Sequence, residues 1–248
     1  MTAPVFVVEQ VPGGPEFVLE GSEGRHAVSV KRLRAGEDVV LTDGRGHWTE
    51  GTVLAAEGKD RLVVAGLTGI REEPLPAPRI TVVQALPKGD RGEVAVETMT
   101  ETGVDTIVPW QAARCITQWK ADRGLKSLAK WRNTAREAGK QSRRVRFPDV
   151  ADAMTTKQVA ALLATADFAA VLHEDRGHDS EPLATVPLPD RGEIVLVVGP
   201  EGGVSPDELA LFADAGARTC RLGASVLRTS TAGTAATALL LGRTGRWS

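Results

Sequence analysis

The sequence lacks several features that would assign a class of protein at once. No apolar run in its 248 residues approaches the roughly 20 residues that a membrane-spanning helix requires. No positively charged segment followed by an apolar stretch stands at the amino terminus. These absences predict a soluble, cytoplasmic protein without a membrane partner.

Cysteine is also scarce, and its placement argues against a metal centre. Cys115 and Cys220 belong to no CxxC or Cys/His pattern with metal-ligand spacing, so both are predicted to be small core residues. A metal site is conceivable at residues 172–179, which contain two histidines and three carboxylates. The mixed charges and Gly177 favour an exposed loop there, and no metal is predicted.

The order of apolar runs and turn residues predicts two domains. Residues 1–73 contain short strand-like runs between Gly and Asp turns, typical of a small β-barrel. Three prolines within residues 74–79 indicate a stiff linker. From residue 80 to residue 248, strands alternate with helices, which predicts an α/β domain with a mostly parallel sheet.

The individual elements can be placed along the chain. In the first domain the predicted strands cover residues 5–8, 16–19, 38–42, 48–54 and 61–67. In the second domain the predicted strands cover residues 81–86, 106–108, 168–172, 194–198 and 218–222. The predicted helices cover residues 91–102, 125–141, 156–165, 205–215 and 233–241.

The most informative stretch is a glycine-rich turn between a buried strand and a helix start. The β-branched run 194–198 predicts a strand buried on both faces, and Ser205, Pro206 and Glu208 fit a helical capping box. Between them, three glycines and a proline in residues 199–203 let backbone groups approach a ligand closely. We interpret this GPEGG turn as a ligand-binding loop.

A second glycine turn follows about twenty residues later. It reads LGASVLRTSTA over residues 222–232 and leads into a helix of small residues. Two purely structural turns are the alternative interpretation. The occurrence of both motifs with their flanking strands and helices favours a pair of ligand-binding loops.

The net charge of −2 conceals a strongly basic segment. Residues 114–146 contain eleven Lys and Arg against Asp122 and Glu137, so the segment carries +9 and the remainder of the chain −11. Such a segment is suited to phosphate contact, although a solvated helix face is the simpler alternative. The candidate nucleic-acid contacts are Arg25, His26, Lys31, Arg32, Arg34, Lys88, Arg132, Arg136, Lys140, Arg143 and Arg144. Trp119 and Trp131 are possible stacking partners, and Trp131 is the better candidate for the core.

GPEGG followed by LRTSTA resembles the SPOUT superfamily of knotted methyltransferases, and within it the ribosomal RNA small subunit methyltransferase E family. That family methylates N3 of a 16S rRNA uridine. The resemblance implies a PUA-like β-barrel RNA-binding domain followed by a SPOUT trefoil-knotted α/β domain. The sequence departs from the family pattern at Lys31, where Leu is more frequent, and at Ser230, where many members carry Glu.

The resemblance also implies S-adenosylmethionine as cofactor, held largely by backbone groups of three neighbouring loops. The matching positions are Leu172, His173, Val198, Gly199, Pro200, Glu201, Gly202, Gly203, Leu222, Gly223, Ser225, Val226, Leu227 and Arg228. The implied partners are 16S rRNA or the small ribosomal subunit and a second copy of the chain in a homodimer.

Two side chains are candidates for catalysis. Arg228 is suited to stabilising negative charge on the uracil ring, and Glu201 is a weaker candidate for proton handling. An alternative role for Glu201 is to cap backbone amides, and an alternative role for Arg228 is to bind phosphate.

Three other functions are compatible with parts of the pattern. A SPOUT methyltransferase acting on tRNA or another rRNA position would share the cofactor loops. A non-catalytic RNA-binding or ribosome-assembly protein is expected to have degenerate loops, whereas these are intact. A phosphate-binding hydrolase is disfavoured because no Walker lysine, nucleophile elbow or triad signature accompanies GPEGG.

Overall fold

A computed structural model describes residues 3–174 and 180–247. By backbone contacts the chain divides into two compact units. The first comprises Met1–Pro74 and Arg136–Phe147, and the second comprises Leu75–Ala135 and Pro148–Ser248. Among the described residues, no helix combines the length and hydropathy needed to cross a bilayer.

The first unit is built on a six-stranded, mostly antiparallel sheet. Its strands are β1 (Val5–Val7), β2 (Glu16–Leu19), β3 (Asp38–Thr42), β4 (His47–Glu57), β5 (Arg61–Ala65) and β6 (Arg71–Glu72). The order is β1-β3-β4-β5-β2, with β6 paired to β4, and β1–β3 is a parallel pair. Helix α1 (Gly21–Arg25) continues into a π-helical turn, His26–Lys31, which ends at Arg32.

The second unit contains a seven-stranded parallel sheet. Its strands are β7 (Arg79–Ala85), β8 (Thr106–Trp110), β9 (Asp149–Val150), β10 (Phe168–Leu172), β11 (Glu181–Pro182), β12 (Glu193–Val198) and β13 (Arg218–Arg221). Its helices are α2 (Arg91–Thr102), α3 (Ala121–Gln141, whose last turns fall in the first unit), α4 (Thr156–Leu163), α5 (Pro206–Asp214) and α6 (Thr229–Arg243). The strand order is β11-β13-β10-β12-β7-β8-β9.

The central strands of this sheet are buried on both faces. Every residue of β12 from Ile194 to Val198 is at most 2% exposed, as its unbroken apolar run predicts. Helices α2 and α6 pack against each other, and α6 also lies against β7 and β12. Gly233 allows this approach, because a Cβ there would stand 2.6 Å from the Met99 sulfur.

The predicted capping box at the start of α5 is confirmed. The Ser205 hydroxyl accepts a hydrogen bond from the Glu208 amide at 3.3 Å, and the Glu208 carboxylate accepts from the Ser205 amide at 3.1 Å. Helix α6 begins at Thr229, four residues before the predicted start at 233. The sequence pattern places Thr229, Ser230 and Thr231 in the preceding turn, whereas they form the first turn of the helix, in which Thr229 and Ser230 are buried and Thr231 is exposed.

Residues 136–147 belong to the first unit, whereas the sequence pattern suggested that they continue the second domain. Phe147 fills a space between two glycines, because a Cβ on Gly44 or on Gly139 would come within 2.8 Å of its ring. The Val145 carbonyl accepts from the Thr42 hydroxyl at 2.7 Å. These contacts link positions about a hundred residues apart, which periodicity does not reveal.

Candidate functional site

Three loops meet at the carboxyl edge of the parallel sheet. Leu172, the last residue of β10, is the register partner of Val198 in β12 and of Cys220 in β13. The three neighbouring strands therefore end at one level. Three segments consequently start side by side, namely the chain after β10, the GPEGG loop after β12 and the loop 222–228 after β13.

The GPEGG loop is a tight turn whose shape depends on glycine at two positions. The Gly203 amide donates to the Pro200 carbonyl at 2.8 Å, and Gly203 has a φ of +73°, which L side chains rarely adopt. A Cβ on Gly199 would stand 2.8 Å from a Val204 methyl group. Pro200 is buried, whereas Gly202, which has no side chain, is exposed, so its backbone lies at the surface.

The Glu201 carboxylate accepts a hydrogen bond from the Lys88 amide at 3.2 Å. This contact joins the GPEGG loop to the segment after β7. It is the amide-capping role that sequence reasoning left open for Glu201, while a part in proton handling stays a prediction.

Glu208 is a buried carboxylate at the start of the helix that follows the GPEGG loop. Sequence reasoning assigned it only to the capping box and not to the site. Glu208 is 5% exposed, and its Oε1 accepts from the Ala113 amide at 2.8 Å and from the Thr156 hydroxyl at 3.0 Å. Its Oε2 accepts from the Ser205 hydroxyl at 2.9 Å. One side chain thus connects the start of α5 to the loop after β8 and to α4.

In the loop 222–228, residues 223–228 are exposed to solvent, whereas Leu222 packs against the core. Val226 is 68% and Leu227 40% exposed, so apolar surface stands uncovered beside GPEGG. Arg228 is also exposed, and its carbonyl accepts from the Thr231 and Ala232 amides at 2.9 Å. Its guanidinium has no hydrogen-bond or ion-pair partner in residues 3–174 and 180–247.

Gln84 fixes the end of this loop from within the core. It is fully buried at the end of β7, and its Nε2 donates to the Thr229 carbonyl at 3.3 Å. His173 follows β10, and its amide donates to the Cys220 carbonyl at 2.9 Å. The first contact runs from a side chain to the backbone that follows the loop 222–228, and the second is a backbone hydrogen bond at the candidate His173.

The structure separates the predicted RNA contacts into exposed and engaged side chains. Exposed ones are Arg25, Lys31, Arg32, Arg34, Lys88 and Arg143, and His26 is half-buried. Arg132 is exposed but donates to the Val150 carbonyl and to Asp152, both at 3.0 Å. Arg144 is partly buried and has a partner.

Lys140 departs from the expectation of a phosphate-facing row. It is 8% exposed, and its ammonium donates to Glu23 at 2.9 Å and to Glu137 at 3.3 Å. Arg136 donates to the same Glu23 oxygen at 3.1 Å. The helical spacing that suggested a basic face also brings these two cations onto a buried acid.

The tryptophan and cysteine predictions for the core are confirmed. Trp131 is 2% exposed, and its ring meets that of Trp119 edge to face at 5.0 Å. Cys115 and Cys220 are both buried and unpaired thiols. Within the described residues no group of three or more ligands that could hold a metal ion occurs, and residues 175–179 of the weighed metal run lie outside them.

Comparison with known proteins assigns the class. The sequence model of an RNA methyltransferase domain matches residues 73–241, and that of an RNA methyltransferase PUA domain matches residues 19–65. The fold, the three-loop edge and these matches define an RNA methyltransferase with a PUA domain.

Individual relatives narrow the class to one family. Ribosomal RNA small subunit methyltransferase E of Mycobacterium bovis is 42% identical over 100% of this chain and 94% of its own length. The enzyme of the same name from Bacillus subtilis is 29% identical over 90% of this chain and 89% of its own. The chain belongs to the ribosomal RNA small subunit methyltransferase E family.

Solved structures agree with this placement. The ribosomal RNA small subunit methyltransferase E of Neisseria gonorrhoeae, bound to S-adenosyl methionine, matches with a TM-score of 0.83 and 28% identity over 98% of both chains. A methyltransferase of Legionella pneumophila in complex with the same cofactor matches with a TM-score of 0.83 and 26% identity over 98% of both.

Proposed function

We propose that this protein transfers a methyl group from S-adenosylmethionine to N3 of a specific uridine in 16S rRNA of the small ribosomal subunit. The observation that carries the proposal is the shared register of Leu172, Val198 and Cys220, which brings the three loops together. Family membership and the cofactor-bound relatives support the donor. Because such rRNA is made in the bacterial cytoplasm, the proposal implies a cytoplasmic enzyme.

The residues at this edge fit the proposed cofactor. The backbone of Gly202 in the GPEGG turn lies at the surface, and a Cβ on Gly223 would meet nothing within 4 Å, which leaves room at the second loop. The exposed side chains of Val226 and Leu227 offer an apolar surface for an adenine ring. When bound, S-adenosylmethionine supplies a methyl group on a positively charged sulfur.

The residues of the protein must align the uracil N3 acceptor with the donor and assist the loss of the N3 proton. Methyl transfer is an in-line displacement, so the uracil N3 must be held on the axis of the breaking bond. N3 must also lose its proton, and the Arg228 guanidinium, which no other described residue engages, is suited to stabilising the resulting negative charge. Glu201 is the candidate for proton handling, in exchange for its contact with the Lys88 amide.

RNA is proposed to bind through the exposed cations of both units. N3 is hidden in a base pair, so the target uridine must be unpaired or flipped. The exposed Arg25, Lys31, Arg32 and Arg34 of the PUA domain are suited to hold flanking phosphates. We further propose a homodimer in which the PUA domain of one copy presents RNA to the donor loops of the other; a fully active monomer would refute it.

Calorimetric titration with S-adenosylmethionine tests the donor site. A Gly203→Trp variant should lose saturable binding, because the side chain blocks the loop and Gly203 has a positive φ. Gly216→Trp is the matched control, since Gly216 has a φ of +89° at the opposite edge of the sheet. Equal loss of binding in both variants would show general misfolding, and wild-type protein that binds no cofactor, with or without RNA, would refute the proposal.

The methylated position is tested separately. Small subunits from a strain lacking the gene are incubated with enzyme and labelled cofactor, and digested nucleosides are identified by mass spectrometry. The expected product is 3-methyluridine from 16S rRNA, with no label in tRNA. Another methylated nucleoside or a tRNA product would establish a different SPOUT activity, and cofactor binding without transfer to any RNA would favour a ribosome-assembly role.

A further inference from the structure

Arg114, in the loop after β8, lies directly against the GPEGG turn. Its Nη1 donates to the Gly202 carbonyl at 3.1 Å. A Cβ on Gly202 would stand 3.2 Å from the Arg114 Cβ, tighter than ordinary van der Waals contact. Glycine at position 202 therefore makes room for Arg114.

Arg114 is held on a braced loop. The Ala113 amide donates to the buried Glu208 carboxylate at 2.8 Å, and the Thr117 hydroxyl donates to the Pro87 carbonyl at 2.9 Å. Together with the contact between the Lys88 amide and Glu201, these bonds join the loops after β7 and β8 to one flank of GPEGG. The other flank faces the loops after β10 and β13.

The charges on this flank suit an anion that the cofactor does not provide. The guanidinium of Arg114 is exposed and has no carboxylate partner in the described part of the chain, and Lys88, whose backbone amide contacts Glu201, is also exposed. S-adenosylmethionine carries a sulfonium and an ammonium group against one carboxylate, so it is itself a cation. The RNA substrate is a polyanion, and its phosphates supply the negative charge that Arg114 and Lys88 can bind.

We infer that Arg114 and Lys88 form a phosphate-binding subsite for nucleotides that flank the target base. The planar guanidinium can bind two phosphate oxygens at once while Nη1 keeps its contact with Gly202. Arg114 is thus an RNA-positioning residue on the acceptor side of GPEGG. The inference rests on the proposed methyltransferase function.

The test compares Arg114→Gln and Arg114→Lys with wild type. Arg191→Gln is the control, because Arg191 is an exposed arginine before β12 at the opposite edge of the sheet. Fluorescence anisotropy measures binding to labelled, transcribed 16S rRNA over a range of KCl concentrations. Calorimetry measures binding of S-adenosylmethionine, and initial rates give KM for small subunits and for the cofactor separately.

Arg114→Gln should weaken RNA binding about tenfold, the effect of removing a charged hydrogen bond. It should also reduce the slope of log K against log salt by about 0.7, as for one lost phosphate contact. Arg114→Lys should restore the salt slope, and cofactor affinity should stay unchanged in both variants. KM for subunits should rise while KM for the cofactor does not.

Two results would overturn the inference. Weaker cofactor binding with unchanged RNA binding in Arg114→Gln would assign the guanidinium to the cofactor carboxylate. If Arg114→Gln changes neither RNA affinity nor cofactor affinity, the only role of Arg114 would be its structural contact with Gly202. A wild-type enzyme without cofactor binding or methyl transfer would instead refute the proposed function, and the anisotropy result would distinguish the two failures.

Discussion

The Lys140 ammonium lies 2.9 Å from the Glu23 carboxylate, and both residues are 8% exposed although they are 117 positions apart in the chain. The same carboxylate accepts from the Val7 amide at 3.4 Å and from Arg136. Glu23 therefore connects α1, β1 and the end of α3 within the first unit. Arg136 and Lys140, which charge density predicted to contact RNA, therefore form ion pairs with Glu23 in the first unit.

Replacing Glu23 should destabilise the first unit strongly. Glu23→Ala leaves the buried Lys140 ammonium without its main partner, which typically costs about 3–5 kcal/mol. Urea denaturation of the purified protein measures the loss. The double variant Glu23→Leu with Lys140→Met should be more stable than Glu23→Ala, since neither charge is then buried; a double variant as unstable as the single would argue against the ion-pair explanation.

His26 should make stability fall in mild acid. Burial, followed by the nearby Lys140, lowers the pKa of His26 below its usual 6.5, while Glu23 and Glu137 oppose and Lys31 adds to the shift. As pH drops through 6.5 the unfolded chain binds the proton first, so the free energy of unfolding decreases until the folded pKa is reached. His26→Phe, compared with wild type by urea denaturation at several pH values, should show less of this decrease. Identical pH dependence in both proteins would contradict the assignment to His26.

The sequence was most informative where local chemistry decides structure. The apolar run 194–198 and the Ser205–Glu208 capping box predicted β12, the start of α5 and the tight turn between them, because each signal is short-range. The meeting of the three loops was implied by the family resemblance, and the shared register of β10, β12 and β13 brings their ends together. The trefoil knot was expected through family resemblance alone, since ordinary connectivity rules exclude threading.

Long-range contacts account for what the sequence did not predict. The roles of Glu23 and Glu208 depend on partners 117 and 95 positions away, and helical periodicity contains no information about either. Arg114 was counted as one charge among eleven, although its contact with Gly202 distinguishes it. A glycine-rich motif indicates close approach but not which residue approaches.

Arg143 has a backbone conformation that favours glycine. Its φ is +62° in the turn that ends α3, where the Arg144 amide donates to the Gly139 carbonyl at 3.0 Å. Arg143→Gly should raise the free energy of unfolding by on the order of 1 kcal/mol, because the left-handed strain is removed. If the side chain binds RNA, the same variant should weaken RNA binding. Arg143→Ala keeps the strain and removes the charge, so it should match Arg143→Gly in RNA affinity but not in stability.

The two thiols should resist alkylation in the folded protein. Burial raises the pKa of Cys220 to about 11 and also raises that of Cys115. At pH 8 roughly one Cys220 in a thousand is then a thiolate, the form that reacts. Iodoacetamide labelling followed by mass spectrometry should show slow modification in buffer and rapid modification in urea. Fast labelling of either cysteine in buffer would contradict the buried environment.

Arg228 offers the most direct test of the proposed chemistry, because its side chain and its backbone have separate contacts. The carbonyl accepts from the Thr231 and Ala232 amides in the first turn of α6, so Arg228→Ala should preserve the helix while removing a guanidinium that has no partner among the described residues. If that group stabilises charge developing on the uracil ring, kcat should fall by about 10²–10³-fold with cofactor affinity unchanged. Arg228→Lys should recover part of the rate, since the charge remains without the planar fork. A rise in KM for RNA with unchanged kcat would assign Arg228 to phosphate instead, and a rise in the Kd for S-adenosylmethionine would assign it to the cofactor.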